Sequence, residues 1–199
     1  MSCTALTKGR GLDCNRIAGG VKYIYFAVYD QVGSVTRASG EITDIEMTIG
    51  ATTYDIYRYT MPLGAASITE TITGSTENGT IFYTPTANIV LNRLTKEDQN
   101  QIKLLAQSKV MIFAQLNEKL VTAGVVGTHD VIVGMGIENG MALNAGSMDS
   151  GVAFGDRNGY TLTFDGLESE PFSMVVDYTT APFDNTDSGG AIPIISTDL

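Results

Sequence analysis

Residues 95–107, TKEDQNQIKLLAQ, form the only stretch longer than two turns that has helical periodicity. Thr95 and Asp98 have the spacing of a helix N-terminal capping box, and acidic residues in the first turn suit the helix dipole. Ile102 and Leu105 would share one side of this helix. Because the rest of the chain alternates strand patterns with turn residues, the sequence predicts one short helix packed on a β body.

About ten short strands are predicted around this helix, at intervals of roughly 8–12 residues. Residues 21–29, VKYIYFAVY, are apolar on both alternating faces, which is typical of a strand covered on both sides. Single strands are predicted at 159–165 and 172–178. Four hairpins are predicted at 42–60 with a turn at Gly50-Ala51, at 66–92 with a turn at Asn78-Gly79, at 109–126 with a turn at Asn117-Glu118, and at 130–144 with a turn at Glu138-Asn139-Gly140.

This spacing predicts a mainly β fold: a β-sandwich or partly closed barrel of short antiparallel strands with one flanking α-helix. A chain of 199 residues can bury its core as one domain, which we place at residues 21–178. The segments 1–20 and 179–199 lack strand periodicity, and we expect them to be extended N- and C-terminal arms.

Charge is divided unequally along the chain. Residues 1–109 hold ten basic and ten acidic side chains, whereas residues 110–199 hold two basic and twelve acidic ones, so the net charge of −10 follows the helix. The N-terminal arm is basic through Lys8, Arg10 and Arg16, and Lys22 comes next. The acidic balance argues against a nucleic-acid binder that releases counterions with clustered Lys and Arg. It still permits a surface that DNA passes without adhering.

Residues for catalysis are scarce. His129 is the only histidine, and its neighbour Asp130 would point to the opposite face of a strand. Glu168 and Glu170 lie two apart in a turn that offers no Lys or Arg partner in the neighbouring sequence. We therefore predict that the protein is not an enzyme and has no catalytic residues.

No cofactor or metal is predicted. The glycines of 134–140 have the wrong spacing for a dinucleotide site, and residues 184–189, DNTDSG, lack the closing glutamate of a calcium loop. Cys3 and Cys14 are interpreted as reduced thiols, with their pairing left open. A signal peptide and a membrane span are also not indicated.

Assembly is the function that the charge pattern favours. A chain with a basic arm and an acidic second half is complementary to a copy of itself displaced head to tail, and such contacts produce rings or filaments. The expected assembly interface consists of Lys8, Arg10, Arg16, Lys22, Tyr54 and Tyr57, of which the two tyrosines belong to the predicted 42–60 hairpin.

The order of elements resembles the major tail tube proteins of tailed bacteriophages over residues 21–178. The similarity lies in the succession of hairpins, the capped helix TKEDQNQIKLLAQ, the hairpin KVMIFAQLNEKLVTAGV and the closing strands in GDRNGYTLTFDGLESEP. It implies β-sandwiches stacked as hexameric rings around a channel for DNA, with acidic side chains in the lumen. The hairpin and the N-terminal arm would reach the adjacent ring, and the helix would lie outside.

The resemblance implies a structural virion protein of the tail, made in the host cytoplasm. Its partners would be copies of itself, with a sheath or other tail proteins as further candidates, and DNA would pass without specific binding. Two alternatives remain open. One is a head–tail connector or capsid decoration protein. The other is a carbohydrate-binding β-sandwich that uses the tyrosines Tyr23, Tyr25, Tyr29, Tyr54, Tyr57 and Tyr59.

Overall fold

The computed structural model describes residues 18–122, 125–184, 186 and 191–196. The described chain is mainly β with one α-helix, α1 (Lys96–Leu105), which confirms the predicted fold class. The strands are β1 (Val21–Val28), β2 (Ser34–Ala38), β3 (Glu41–Glu46), β4 (Thr48–Ile49), β5 (Thr52–Thr53), β6 (Ile56–Thr60), β7 (Ala66–Ser75), β8 (Thr80–Asn92), β9 (Val110–Thr122), β10 (Val125–Met135), β11 (Ala142–Asp149), β12 (Gly159–Asp165), β13 (Ser173–Val175) and β14 (Ile194–Ile195).

The strands form two main sheets. The larger has eight strands in the order β14-β6-β1-β9-β10-β13-β3-β2, and the smaller has four in the order β11-β12-β8-β7. The pair β4 and β5 makes a separate two-stranded sheet. Neighbouring strands are antiparallel except for β13 beside β3 and β14 beside β6. The end strands of the large sheet do not pair with each other, so the fold is sandwich-like and not a closed barrel.

Strand β1 is buried on both faces, as its sequence predicts. Ile24 and Phe26 belong to a first core between the two sheets, where Phe26 lies 5.3 Å from the ring of Phe164. Tyr25 and Ala27 point the other way into a second core. Successive side chains of β1 point alternately into the two cores, so a strand that contributes to both must be apolar at every central position.

The second core is closed by the chain that follows β13. Phe183 is fully buried there, and its ring meets those of Tyr25 and Phe113 at 5.3 and 5.1 Å. The Ile45 N–H donates to the carbonyl of Thr186, and Ile56 N–H donates to the carbonyl of Pro193 at 3.0 Å.

The described residues of the expected C-terminal arm therefore pack on the domain. Through Thr186 and Pro193, these residues hydrogen-bond to both β3 and β6 on the side of the second core. Strand β14 adds a further strand to the large sheet beside β6. The segment is held because its apolar residues, Phe183 and Ile192, cover core surface that the sheets leave open.

Helix α1 begins where the sequence predicts. Asp98 N–H donates to the Thr95 hydroxyl oxygen at 3.0 Å, and that hydroxyl lies 2.6 Å from the Asp98 carboxylate. The helix ends at Leu105, two residues before the predicted end. Ile102 and Leu105 pack against the first core, so the helix covers one end of the sandwich with a narrow apolar stripe.

Replacing Thr95 by alanine is expected to lower the free energy of unfolding by about 1 kcal/mol, because the first turn loses its cap. For a chain of this size that corresponds to a fall in the melting temperature of about 2–4 °C. Thermal unfolding followed by circular dichroism measures it. Thr95→Ser, which keeps the hydroxyl, is the control and should unfold close to the wild-type temperature.

Two of the four predicted hairpins are present. Strands β7 and β8 pair from Ala66↔Ile89 to Ser75↔Thr80 around the predicted turn. Strands β9 and β10 pair as the third hairpin, but β9 continues through Asn117 and Glu118, so the predicted turn position is wrong. The two residues sit in a strand because the pairing with β1 and β10 outweighs their local preference for a turn.

The other two hairpin predictions need correction. Of the hairpin at 42–60 only the tip forms, with Thr48↔Thr53 and Ile49↔Thr52, while β3 and β6 join the large sheet at separate places. The hairpin at 130–144 is absent, because β10 belongs to the large sheet and β11 to the small one. The turn residues marked real chain reversals, but turn chemistry does not decide which strand becomes the partner.

Candidate assembly surfaces

The four-stranded sheet has one buried face and one polar face. Its register places Leu162 opposite Ile89 on the buried face, toward the first core. The opposite face is rich in hydroxyl side chains. On it, Thr69 of β7 lies opposite Thr86 of β8. The same outer face carries Ser67, Thr71, Thr73, Thr84, Thr161, Thr163 and Ser147.

The four strands of this sheet contain no lysine or arginine. Their charged residues are Glu70, Asp149 and Asp165. Glu70 faces inward and accepts the backbone N–H of Phe172 at 2.7 Å, whereas Asp149 and Asp165 share the outer face with the threonines. The outer face therefore carries mainly hydroxyls and a few negative charges, together with the partly exposed Phe82 and with Arg157, which reaches it from the loop before β12 and donates to Thr161.

Both edges of the small sheet are open among the described residues. Strand β7 pairs only with β8, and β11 pairs only with β12, over ten and eight residues. Proteins usually protect such edges with lysine, proline or a bulge that twists the strand away. Neither edge strand contains lysine or proline. The pairing of β11 with β12 has a register shift between Leu143 and Ala145, so β7 is the regular edge, and β11 is regular from Ala145 onward.

A groove lies between β6, the end of β8 and α1. It has a volume of about 800 Å³, and its lining includes Tyr57, Tyr59, Pro62 and Leu91. Tyr57, one of the predicted interface residues, is 40% exposed there. The other, Tyr54, packs against the second core. The two tyrosines are thus not on one surface, and Tyr57 alone of the pair lies open to a partner.

The six tyrosines of the carbohydrate-binding alternative are likewise spread over different surroundings. Tyr25 is fully buried, and the ring of Tyr59 meets Phe26 edge-on at 5.1 Å. Tyr23 lies 6.3 Å from Tyr25 beneath the guanidinium of Arg58. The rings serve mainly as packing partners within the sheet.

Lys22, another predicted interface residue, is paired within its own chain. Its ammonium lies 3.1 Å from the carboxylate of Asp130, which also binds the ammonium of Lys119 at 2.5 Å and the amide of Gln115 at 2.9 Å. Tyr25 OH donates to the Gln115 carbonyl at 2.7 Å, so the cluster is joined to the second core.

The charges of this cluster shift each other's pKa. Burial alone would raise the pKa of Asp130, but hydrogen bonds from Lys119, Gln115 and Lys22 outweigh it and leave the pKa below the ordinary value. The hydrogen bond to Asp130 raises the pKa of Lys22 in turn. One acidic group of the second half of the chain is therefore neutralised internally by two lysines.

Asp130→Asn is expected to lower the free energy of unfolding at pH 7 by about 1–3 kcal/mol, because a buried charge-assisted network loses its anion. Because the pKa of Asp130 is lower in the folded state, its ionised carboxylate stabilises the fold at every pH above the pKa of the unfolded state, about 3.9. This stabilisation is lost as the pH falls through the pKa of the folded state. The difference between wild type and variant should therefore shrink below about pH 4. Urea unfolding at several pH values measures it, with exposed Asp30→Asn as control; a constant difference across pH would refute the mechanism.

Lys8, Arg10 and Arg16 of the predicted interface lie outside the described residues, as do Cys3 and Cys14. The described chain begins beside the Lys22 cluster. The Asn117 side chain donates to the carbonyl of Gly19 at 3.1 Å, and Asn117 N–H donates to the carbonyl of Gly20 at 3.1 Å. Gly19 and Gly20 are therefore held against β9 at this end of the large sheet.

The two glutamates that the sequence left without a basic partner are both engaged. Arg37 binds Glu170 at 2.9 Å and Glu138 at 3.0 Å. The buried Glu168 carboxylate accepts the backbone N–H groups of Glu138 and Asn139 at 2.9 and 3.0 Å. These carboxylates hold two loops together. The partner was missed because Arg37 lies about 130 residues earlier in the sequence.

His129 lies within β10 and not at a turn. Its Nδ1 atom is 2.9 Å from the carboxylate of Asp177, and its ring is 4.5 Å from that of Tyr178. Asp130 faces the lysine cluster, on the other side of the strand from His129 as predicted. The contacts fix the chain after β13 against β10.

The predicted absence of a calcium loop concerns a segment that is described only in part. The Asp184 carboxylate accepts backbone N–H groups of Thr179, Thr180 and Ala181. Burial opposes ionisation, but the bonds from Thr179 and the other donors outweigh it and lower the pKa to about 2. In the part of the chain that the structure describes, no three His, Cys, Asp or Glu side chains are grouped as metal ligands. Nor does that part include a helix of the length and hydropathy needed to cross a membrane.

Comparison with known proteins gives no relative for this chain: no family model, no curated protein and no solved structure matches it.

Proposed function

We propose that the protein is a structural subunit that assembles with copies of itself into rings, and that the rings stack as the tail tube of a bacteriophage. The observation that carries the proposal is the four-stranded sheet, whose two edge strands contain no lysine or proline and have no outer partner among the described residues. An open edge at each side of one sheet, interrupted on β11 only near Leu143, can extend the sheet from copy to copy.

The strand directions suit such an extension. Each neighbouring pair in the order β11-β12-β8-β7 is antiparallel, so β7 and β11 run in opposite directions. If β11 of one copy lies beside β7 of the next, the alternation continues without interruption. The contact joins two different surfaces, so repetition by rotation closes a ring.

The dimensions are compatible with a channel. Six copies, the number that the resemblance implies, supply four strands each at about 4.8 Å spacing, which gives a circumference of about 115 Å and a backbone diameter of about 37 Å. Tilted strands would widen it further. A ring of this size can surround a DNA duplex.

The outer face of the small sheet has the chemistry that a DNA channel needs. Strong binding to DNA requires lysine and arginine against the phosphates. Threonine hydroxyls and the carboxylates of Asp149 and Asp165 predominate on this face over the single guanidinium of Arg157, which donates to Thr161, so we expect only weak contact with the phosphates of a duplex. We therefore propose that β7, β8, β11 and β12 line the lumen.

Negative-stain microscopy of the purified protein tests the proposal. Tubes with a central channel are the expected result. Single closed rings that never stack would favour the connector alternative, and monomers that bind glycans would favour the carbohydrate-binding alternative. Either of these outcomes would refute the tail tube.

A further inference from the structure

The loop between β11 and β12, residues 150–158, presents two apolar side chains entirely to solvent. Val152 and Phe154 have relative exposures of 101% and 111%, so neither touches the rest of the described chain to any useful extent. Large apolar residues displayed side by side on a loop tip are typical of a contact surface.

The loop is held in a fixed shape. The Asp156 carboxylate accepts the backbone N–H groups of Val152 and Ala153 at 2.9 and 2.7 Å, and these bonds lower its pKa. The base of the loop is anchored because Arg93 N–H donates to the carbonyl of Asn158 at 2.8 Å. A preorganised loop loses little conformational freedom when it binds.

The groove beside α1 has a matching chemistry. Apolar surface from Tyr57, Pro62 and Leu91 lies next to the carboxylates of Glu97 and Asp98. Its volume of about 800 Å³ lies within the range of about 300–1,000 Å³ found for pockets that bury a drug-sized ligand, so two side chains can enter.

The charges beside the loop and beside the groove are opposite in sign. Asp156 is bound by its own loop, and Arg157 next to it is exposed and donates to the neutral Thr161 hydroxyl at 3.0 Å, with no carboxylate partner among the described residues. Arg157 is one of two basic residues after position 109, and the other, Lys119, is committed to Asp130. An apolar pair flanked by a cation thus fits an apolar groove flanked by two anions.

The position of the two surfaces fits a neighbouring copy. The loop follows the end of β11, and the groove lies at the end of β8 with Pro62 shortly before β7, so both lie at the same end of the small sheet, the loop on its β11–β12 side and the groove on its β8–β7 side. Rotation that brings β11 of one copy beside β7 of the next keeps these ends level.

We infer that Val152 and Phe154 of one copy insert into the groove beside α1 of the next copy, with Arg157 against Glu97 and Asp98. This contact rests on the proposed ring. It adds a side-chain contact, here called the lock, to the pairing of β11 with β7 of the next copy. It defines which surfaces of the two copies meet beside the paired strands.

Sedimentation velocity over a range of protein concentrations measures the contact. Phe154→Ser should raise the concentration needed for association at least tenfold while leaving the melting temperature unchanged, since the side chain is exposed. Leu167→Ser, at the other end of β12 and 59% exposed, is the matched control and should associate like the wild type. Wild-type association by Phe154→Ser would overturn the inference.

Exchanging the charges of the loop and the groove tests whether these two surfaces meet. Arg157→Glu alone and Glu97→Lys alone should each associate at least tenfold more weakly than wild type; Asp98 is left unchanged because its carboxylate accepts the Thr95 hydroxyl in the helix cap. A mixture of the two should recover, because each loop then finds a groove of opposite charge. A mixture no better than its components would refute the contact.

Microscopy separates the two proposals. If association recovers but no tubes form, only the tail tube is rejected, and if Phe154→Ser still forms tubes, only the lock is rejected.

Discussion

Replacing Phe183 by alanine lowers the expected free energy of unfolding by about 3–5 kcal/mol, the largest change in stability that we predict for a single side chain. Phe183 is fully buried and packs edge-on against Tyr25 and Phe113. The alanine leaves a cavity in the second core, at the place where the chain after β13 closes it. Urea unfolding monitored by circular dichroism measures the loss.

Phe154→Ala is the matched control, because it removes the same ring from a fully exposed position. At a concentration where the chain is monomeric, it should change the free energy of unfolding by less than about 0.5 kcal/mol. Phe183→Leu should fall between the two, since most of the buried volume remains. If Phe183→Ala unfolds like Phe154→Ala, the C-terminal segment does not contribute to the core.

Thr69→Lys combined with Thr71→Lys is expected to abolish assembly and leave the fold intact. Both positions are exposed on β7, the edge strand that is proposed to pair with β11 of the next copy. Lysine on an edge strand opposes pairing, because the approach of a second strand would desolvate its charge. Sedimentation and microscopy should find monomers at concentrations where the wild type forms rings or tubes.

The control adds the same two charges elsewhere. Ala106→Lys with Gln107→Lys places lysines at exposed positions just after α1, away from both edges of the small sheet. This variant should assemble like the wild type, which separates blocking of the edge from a general effect of net charge. Assembly by the β7 variant would show that the edge is not the contact.

Several elements were predictable because the signal is local. The cap at Thr95, the doubly buried pattern of β1 and the Asn78-Gly79 turn each depend on residues within one turn or one strand. Each matches a preference that holds before any tertiary contact forms. The mainly β class follows from the sum of such signals.

The surfaces were predictable only in part. Lys22 was expected to meet a neighbouring copy, but Asp130 lies beside it because β1, β9 and β10 are adjacent in the sheet. Tyr54 turned inward for a similar reason, while Tyr57 remained open at the groove. Val152 and Phe154 were overlooked because apolar residues in a loop give no periodic signal, and only the fold reveals their exposure.

The sequence by itself determined the β character, the single capped helix and the separation of charge along the chain, because these depend on composition and on neighbours a few residues apart. Only the tertiary structure decided that β3 and β6 lie apart in one sheet, that the segment with Phe183 closes the second core, and that both edge strands of the small sheet lack an outer partner among the described residues. Strand partners come from packing between distant segments, and turn chemistry does not encode that choice.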